Sequence, residues 1–177
     1  MARSTSMNYI GRQLPMMQFP GFDFVEQTCW HEFLDSSTRL FATLDNRVNE
    51  MHGLTLTEVR LLSLLASSNT GLVRKSELGR ALMLTPSRLA QIFRRLQSRG
   101  LIGQSATTYD RRGILMGITD AGRACVEDAL KTLGEAVRVH YLGRMSHQQM
   151  SVLADCHRRI NASLRVAADS VHRAGVT

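Results

Sequence analysis

Residues 85–119 read TPSRLAQIFRRLQSRGLIGQSATTYDRRGILMGIT, and the order of elements they imply decides the fold. Thr85 is a good helix N-cap, and Pro86 at the first helical position has no N–H to leave unbonded. Leu89, Ile92, Phe93 and Leu96 share one stripe at about 100° per residue, and Gly100 after Arg99 suits a left-handed stop. Opposite that stripe fall Ser87, Gln91, Arg94 and Arg95, with Arg88 at its margin. A helix with core on one side and Ser, Gln and Arg on the other has the make-up of a major-groove reader. Two short strands follow, Leu101 to Ser105 and Ile114 to Ile118, the second alternating Ile114, Met116 and Ile118. The loop between them ends Asp110-Arg111-Arg112-Gly113. A β-ribbon with adjacent arginines at its tip can follow a phosphate backbone or enter a narrow minor groove.

Upstream, Met83-Leu84 is a tight connection after a short helix from Arg74 to Leu82. Before it, Thr55-Leu-Thr-Glu58 is a capping-box pattern with Leu54 and Val59 placed as its hydrophobic staple. The helix it opens carries Val59, Leu61, Leu62, Leu64 and Leu65, so it belongs at the centre of the core. A long helix from Asp23 repeats Cys29, Phe33, Leu40, Leu44, Val48 and Met51 and stops at Gly53. Residues 1–22 mix Pro, Gly and polar residues without a period and read as a flexible arm. Downstream, Thr119 caps a helix bearing Val126, Leu130, Leu133, Val137 and Tyr141, and Ser146 with Gln149 forms a second capping box. The final helix places Leu153, His157, Ile160, Leu164, Ala167 and Val171 on one seam, the mark of helix-to-helix packing. The fold class is therefore mostly α with a small β-wing.

The charge distribution points the same way. The chain has 177 residues and a formal net charge of +7, from 22 Lys and Arg against 15 Asp and Glu. Between Leu72 and Ala124 stand ten basic residues and three acidic ones, so that segment carries the whole excess and the remainder is neutral. An excess confined to one structural unit is the footprint of a surface that meets a polyanion. A composition 44% hydrophobic and 21% charged, with no long apolar run, excludes disordered and membrane-spanning classes. Nothing reads as an export leader, and Cys29, Cys125 and Cys156 are too few and too far apart for a disulfide framework, so a cytoplasmic location is expected. No Gly-rich phosphate loop, His-Glu-x-x-His or Gly-x-Ser-x-Gly is present, and neither an enzyme nor a cofactor or metal site is expected.

A winged helix-turn-helix between long terminal helices resembles the MarR family, transcriptional regulators named for multiple antibiotic resistance. The likeness runs from about Phe24 to Leu164. It is most specific at Asp110-Arg-Arg-Gly-Ile-Leu-Met-Gly-Ile-Thr119-Asp-Ala-Gly122, close to the family's Asp-x-Arg, strand, Leu-Thr-x-x-Gly pattern. Leu54-Thr55, Ser76-Glu77-Leu78, Thr85-Pro86-Ser87 and Arg95-Leu96 through Ile102 match in the family's order. Met83 departs where the family's turn often has Gly, and Gly79 where Ala is usual. The resemblance implies a homodimer in which residues 23–53 and 120–172 form the helical dimerisation region and 54–119 the DNA-binding unit. It implies that Ser87, Arg88 and Gln91 meet base edges and that Thr85, Arg94 and Arg95 meet phosphates. Arg111 and Arg112 belong to the wing, Arg112 entering the minor groove and Asp110 bracing the wing arginines. The expected partners are double-stranded DNA, a second copy of the chain and a small-molecule effector, with no membrane.

For an effector the residues offer Trp30, His31, His52 and Arg60, since an aromatic wall and a cation suit a small aromatic anion. Packing and surface roles explain the same residues. Cys29 invites a redox reading, but Glu26 and Glu32 beside it disfavour a thiolate, and a buried structural cysteine is expected. Two alternatives stand beside the DNA-binding regulator: a winged-helix protein-interaction module, and a redox-sensing regulator acting through Cys29.

Overall fold

The computed structural model describes residues 17–104 and 114–174, with side chains described through Val166. Among these residues six α-helices and three short strands follow in order: α1 Phe24–His52, α2 Leu56–Ala66, β1 Leu72–Arg74, α3 Lys75–Ala81, α4 Pro86–Ser98, β2 Ile102–Gln104, β3 Leu115–Ile118, α5 Asp120–His140, a 3-10 turn Leu142–Arg144, and α6 His147–Ala174. The chain divides into two units, Met1–Phe41 and Ala42–Thr177.

In the first unit, Met17 to Phe22 fold back on the start of α1. The Met17 carbonyl accepts from Gln27 Nε2 at 2.5 Å and is hydrogen-bonded to His31 Nε2 at 2.7 Å. Phe19 stacks on Phe22 with centroids 5.1 Å apart, and Trp30 meets Phe19 edge-on at 6.3 Å and Phe33 at 5.9 Å. Residues 1–16 of the expected arm lie outside the described residues.

The second unit is built round α2. Val59, Leu61, Leu62 and Leu65 are buried with Val48 and Leu54, Leu78, the α4 stripe Leu89, Ile92, Phe93 and Leu96, and Met116 and Val126. The local chemistry that opens these helices is the one their sequences call for. Thr55 Oγ1 accepts from Glu58 N–H at 3.3 Å while Thr55 N–H donates to Glu58 Oε2 at 2.8 Å, closing the capping box. Thr85 Oγ1 accepts from Arg88 N–H, Thr119 Oγ1 from Gly122 N–H, and Ser146 and Gln149 close the second capping box.

The wing differs from the expectation in two respects. Its sheet has three strands, in the order β1-β3-β2 and antiparallel throughout. Leu72 faces Gly117 and Arg74 faces Leu115 across β1 and β3, and Lys75 N–H extends the ladder to Ile114 O at 3.0 Å. The segment read as the start of a helix at Arg74 is thus the end of a strand, and α3 begins at Lys75. Three residues are too few to show alternation, and β1 exists because β3 supplies its hydrogen bonds. The paired strands are also shorter than expected, with Leu101 and Ile114 outside them.

Two backbone positions explain motif residues. Met83 takes φ +53 in the turn between α3 and α4, the left-handed region that glycine occupies without steric cost. At Gly122 a Cβ would lie 2.1 Å from the Leu101 carbonyl oxygen and 2.8 Å from Ile118 Cγ1. Only glycine lets the first turn of α5 lie against the backbone that leads into β2.

Candidate nucleic-acid interface

On α4, Leu89, Ile92, Phe93 and Leu96 are buried, while Ser87, Arg88, Gln91 and Arg94 are exposed. Thr85 is exposed at the N-terminus of the same helix, where its hydroxyl caps it. Arg88 Nη1 points to Gln91 Oε1 at 3.4 Å, so two side chains able to make bidentate base contacts stand next to each other. Arg94 is exposed and has no hydrogen bond or ion pair among the described residues. Asp110, Arg111 and Arg112 lie outside the described residues. Lys75, at the start of α3, holds its ammonium 5.3 Å from the Phe93 ring centroid.

Arg95 is used differently from its neighbour. Its Nη1 donates to Glu58 Oε1 and Oε2, both at 3.1 Å, and its Nη2 to the Gly53 carbonyl at 2.8 Å. Arg99 Nη1 donates to the same carbonyl at 2.7 Å and its Nη2 to His52 O at 3.0 Å. Successive residues of a helix diverge by about 100°, so Arg94 faces out while Arg95 turns toward the end of α1. Glu58 and Arg99 are the residues that reading the sequence for DNA contacts passed over. The capping box marks Glu58, but no local signal marks a partner 37 positions away. Arg123 is likewise spent on a carbonyl, donating to Ala66 O at 3.3 Å. Two cations have their charged forms favoured by hydrogen-bonded carboxylates: Arg39 by Asp35, and Lys131 by Asp128 and then Glu127. Both stand outside α4.

A model of the MarR family matches residues 52–113, from the end of α1 through α4 and β2 into the wing. The HTH-type transcriptional repressor MdtR of Bacillus subtilis is 28% identical over 115 residues, 65% of this chain and 71% of that protein. Sco3205 of Streptomyces coelicolor, a MarR family transcriptional regulator solved in complex with DNA, superposes with a TM-score of 0.76 at 26% identity, over 81% of this chain and 93% of that one.

The chain is similar to the MarR family over residues 52–113.

It shares the winged-helix fold of transcriptional regulators of that family. AbsC of the same Streptomyces species, at 24% identity, shares the fold with a TM-score of 0.76 over 83% of this chain and 99% of its own. No helix among the described residues is long and apolar enough to cross a membrane.

The effector candidates separate. Trp30 and His31 belong to the first unit, His52 and Arg60 to the second. His52 Nε2 is hydrogen-bonded to Thr132 Oγ1 at 2.8 Å. Arg60 is exposed at the rim of a cavity of about 290 Å³ that Ser63, Leu64, Leu82 and Leu130 also line. Cys29 is exposed, which corrects the expectation of a buried thiol. The cause is general to that stretch: no side chain from Met17 to Phe41 is buried.

Proposed function

We propose that the chain is a sequence-specific repressor that acts as a homodimer on a pseudo-palindromic operator and is released by a small aromatic or anionic ligand. The observation that carries the DNA contact is α4, whose inner face is core and whose outer face holds Ser87, Arg88, Gln91 and Arg94. In this reading residues 54–119 are the DNA-binding unit, with Thr85 and Arg94 on phosphates and Asp110, Arg111 and Arg112 in the wing. Residues 23–53 and 120–172 form the dimer. Large apolar side chains on both terminal helices support it: Phe24, Phe33 and Phe41 on α1, and Val152, Ile160 and Leu164 on α6, are all at least half exposed. The repressor role follows MdtR, and Trp30, His31, His52 and Arg60 are the side chains assigned to the effector.

Selection of the purified protein against a random double-stranded DNA pool tests this. The expected result is a pseudo-palindrome with half-sites about one helical turn apart, and log K falling linearly with log salt. Retention without a consensus would reduce the protein to a non-specific binder. No retention at low salt would favour the protein-interaction module. Arg112→Ala is expected to weaken binding to the selected DNA with the melting temperature unchanged, and equal affinity would take Arg112 out of the minor groove.

A further inference from the structure

The end of α1, the start of α2 and the flank of α4 meet in one polar cluster that the DNA-contact reading leaves unused. α1 stops at Gly53, which takes φ +61 and donates its N–H to Asn49 O at 2.8 Å. The last carbonyls of a helix have no partner within it and carry the negative end of its dipole. Here the His52 and Gly53 carbonyls receive three guanidinium N–H groups, two from Arg99 and one from Arg95. Glu58 is 1% exposed, and its carboxylate is held by the Arg95 guanidinium and by Thr55 N–H. A carboxylate taken so far out of water is tolerable only while those donors stay in place. Leu56 N–H donates to Asp45 Oδ1 at 2.6 Å, and the His52 ring bonds Thr132 of α5, so the same turn is tied to α1, α2 and α5 together.

Gln91, Arg95 and Arg99, spaced by four, lie along one row that runs from the outer face of α4 to its C-cap, and the hydrogen bonds of Arg95 and Arg99 turn the end of that row toward α1 and away from Arg94. We propose that Glu58, Arg95 and Arg99 form a clamp that holds α4 at a set angle to the end of α1, and that this clamp determines which half-site spacing the protein reads. Arg95 and Arg99 are then positioning residues and not phosphate ligands. A side chain that reads base edges must be held within about half an ångström and some 10–20° of its working geometry. The apolar stripe fixes which face of α4 is inside, and contacts along its flank add a restraint on its angle. Five charge-assisted hydrogen bonds, from Arg95 and Arg99 to Glu58, Gly53 and His52, restrain it along one flank. The inference rests on the dimeric, sequence-specific reading above, because only a dimer has two reading helices whose separation must be kept.

The test compares Glu58→Gln, Arg95→Gln and Arg99→Gln with Arg94→Gln, in the full-length protein. Binding is measured over a range of salt to the selected operator, to random DNA, and to operators whose half-site spacing is lengthened or shortened. Arg94→Gln is expected to lower the slope of log K against log salt by about two for a dimer, one phosphate being lost at each half-site. Arg95→Gln and Arg99→Gln are expected to keep the wild-type slope and the affinity for random DNA. They should weaken operator binding about tenfold, the scale of one misread base contact, and flatten the preference for one spacing. Glu58→Gln separates charge from position. Glutamine also closes a capping box, so the start of α2 is kept, and the lost negative charge by itself would strengthen DNA binding. The clamp requires weaker operator binding and a broadened spacing preference instead.

A salt slope lowered by Arg95→Gln as much as by Arg94→Gln would overturn the proposal, since Arg95 would then be a phosphate ligand. So would wild-type operator affinity and spacing preference in Glu58→Gln. If Glu58→Gln fails to fold, Arg99→Gln, whose side chain is exposed, decides the same question by the same two readouts. A wild-type protein without any spacing preference would overturn the regulator reading and the clamp with it. A wild-type preference retained in all three variants would overturn the clamp alone.

Discussion

Arg88→Ala is expected to weaken binding to the selected operator by about 2–6 kcal/mol, which is the 1–3 kcal/mol of one bidentate base contact counted at each half-site of a dimer. Arg88 is exposed in the first turn of α4, and the N-terminal residues of such a helix are the ones that reach base edges. Among the described residues its guanidinium bonds only the exposed Gln91, and its backbone N–H keeps the bond to Thr85 Oγ1 whatever the side chain. Among the described residues, then, the substitution removes no buried contact, and the melting temperature should stay where it was. Titration of operator and random DNA by fluorescence anisotropy checks it. The operator should lose far more affinity than random DNA, because a phosphate contact contributes to both and a base contact to one. Equal losses would make Arg88 a backbone contact, and no loss would remove it from the interface.

Gly122→Ala is the corresponding test of the scaffold. A Cβ there would come 2.1 Å from the Leu101 carbonyl oxygen, well inside van der Waals contact, and that atom is backbone and not the end of a flexible side chain that could yield. The first turn of α5 would have to move off the Leu101 segment. That movement strains Thr119 N–H to Leu101 O, at 3.1 Å, and Thr119 Oγ1–H to Gly100 O, at 2.7 Å. Overpacking of this kind costs about 3 kcal/mol, or a melting temperature lower by roughly 6–12 °C in a chain of this length. Thermal unfolding followed by circular dichroism reads it directly. An unchanged melting temperature would mean that α5 does not sit on Leu101 as closely as the structure has it.

Gly122 also shows how a motif legible in the sequence acquires its reason. Thr119-Asp-Ala-Gly122 is readable as family pattern and as a helix cap. That Thr119 bonds Gly100 as well as Gly122, and that Gly122 admits the Leu101 carbonyl, depends on chain about twenty residues upstream. The opposite case is α5 itself. Reading its large apolar residues puts Leu130 on the buried stripe, yet Leu130 is 45% exposed, and Gly122, Val126, Ala129 and Ala136 are the buried positions. Small side chains carry little hydrophobic signal, but they allow α5 to approach α2 closely, and that approach settles which face is inside.

What the sequence by itself determined is whatever depends on neighbours within one or two turns. The caps at Thr55, Thr85, Thr119 and Ser146, the glycine stops at Gly53 and Gly100, the apolar helix α2 and the two-faced helix α4 are local, because each is set by bonds or periods spanning a few residues. The order of these elements was enough for the fold and for the resemblance to the MarR family. Tertiary structure alone decided that Leu72–Arg74 becomes a strand, since an isolated three-residue segment forms no sheet without a partner. It also decided the different fates of Arg94 and Arg95, adjacent in sequence and alike in chemistry. One is left to solvent and the other taken up by Glu58 and Gly53, because the buried carboxylate and the end of α1 lie on one flank of α4 and not on the other.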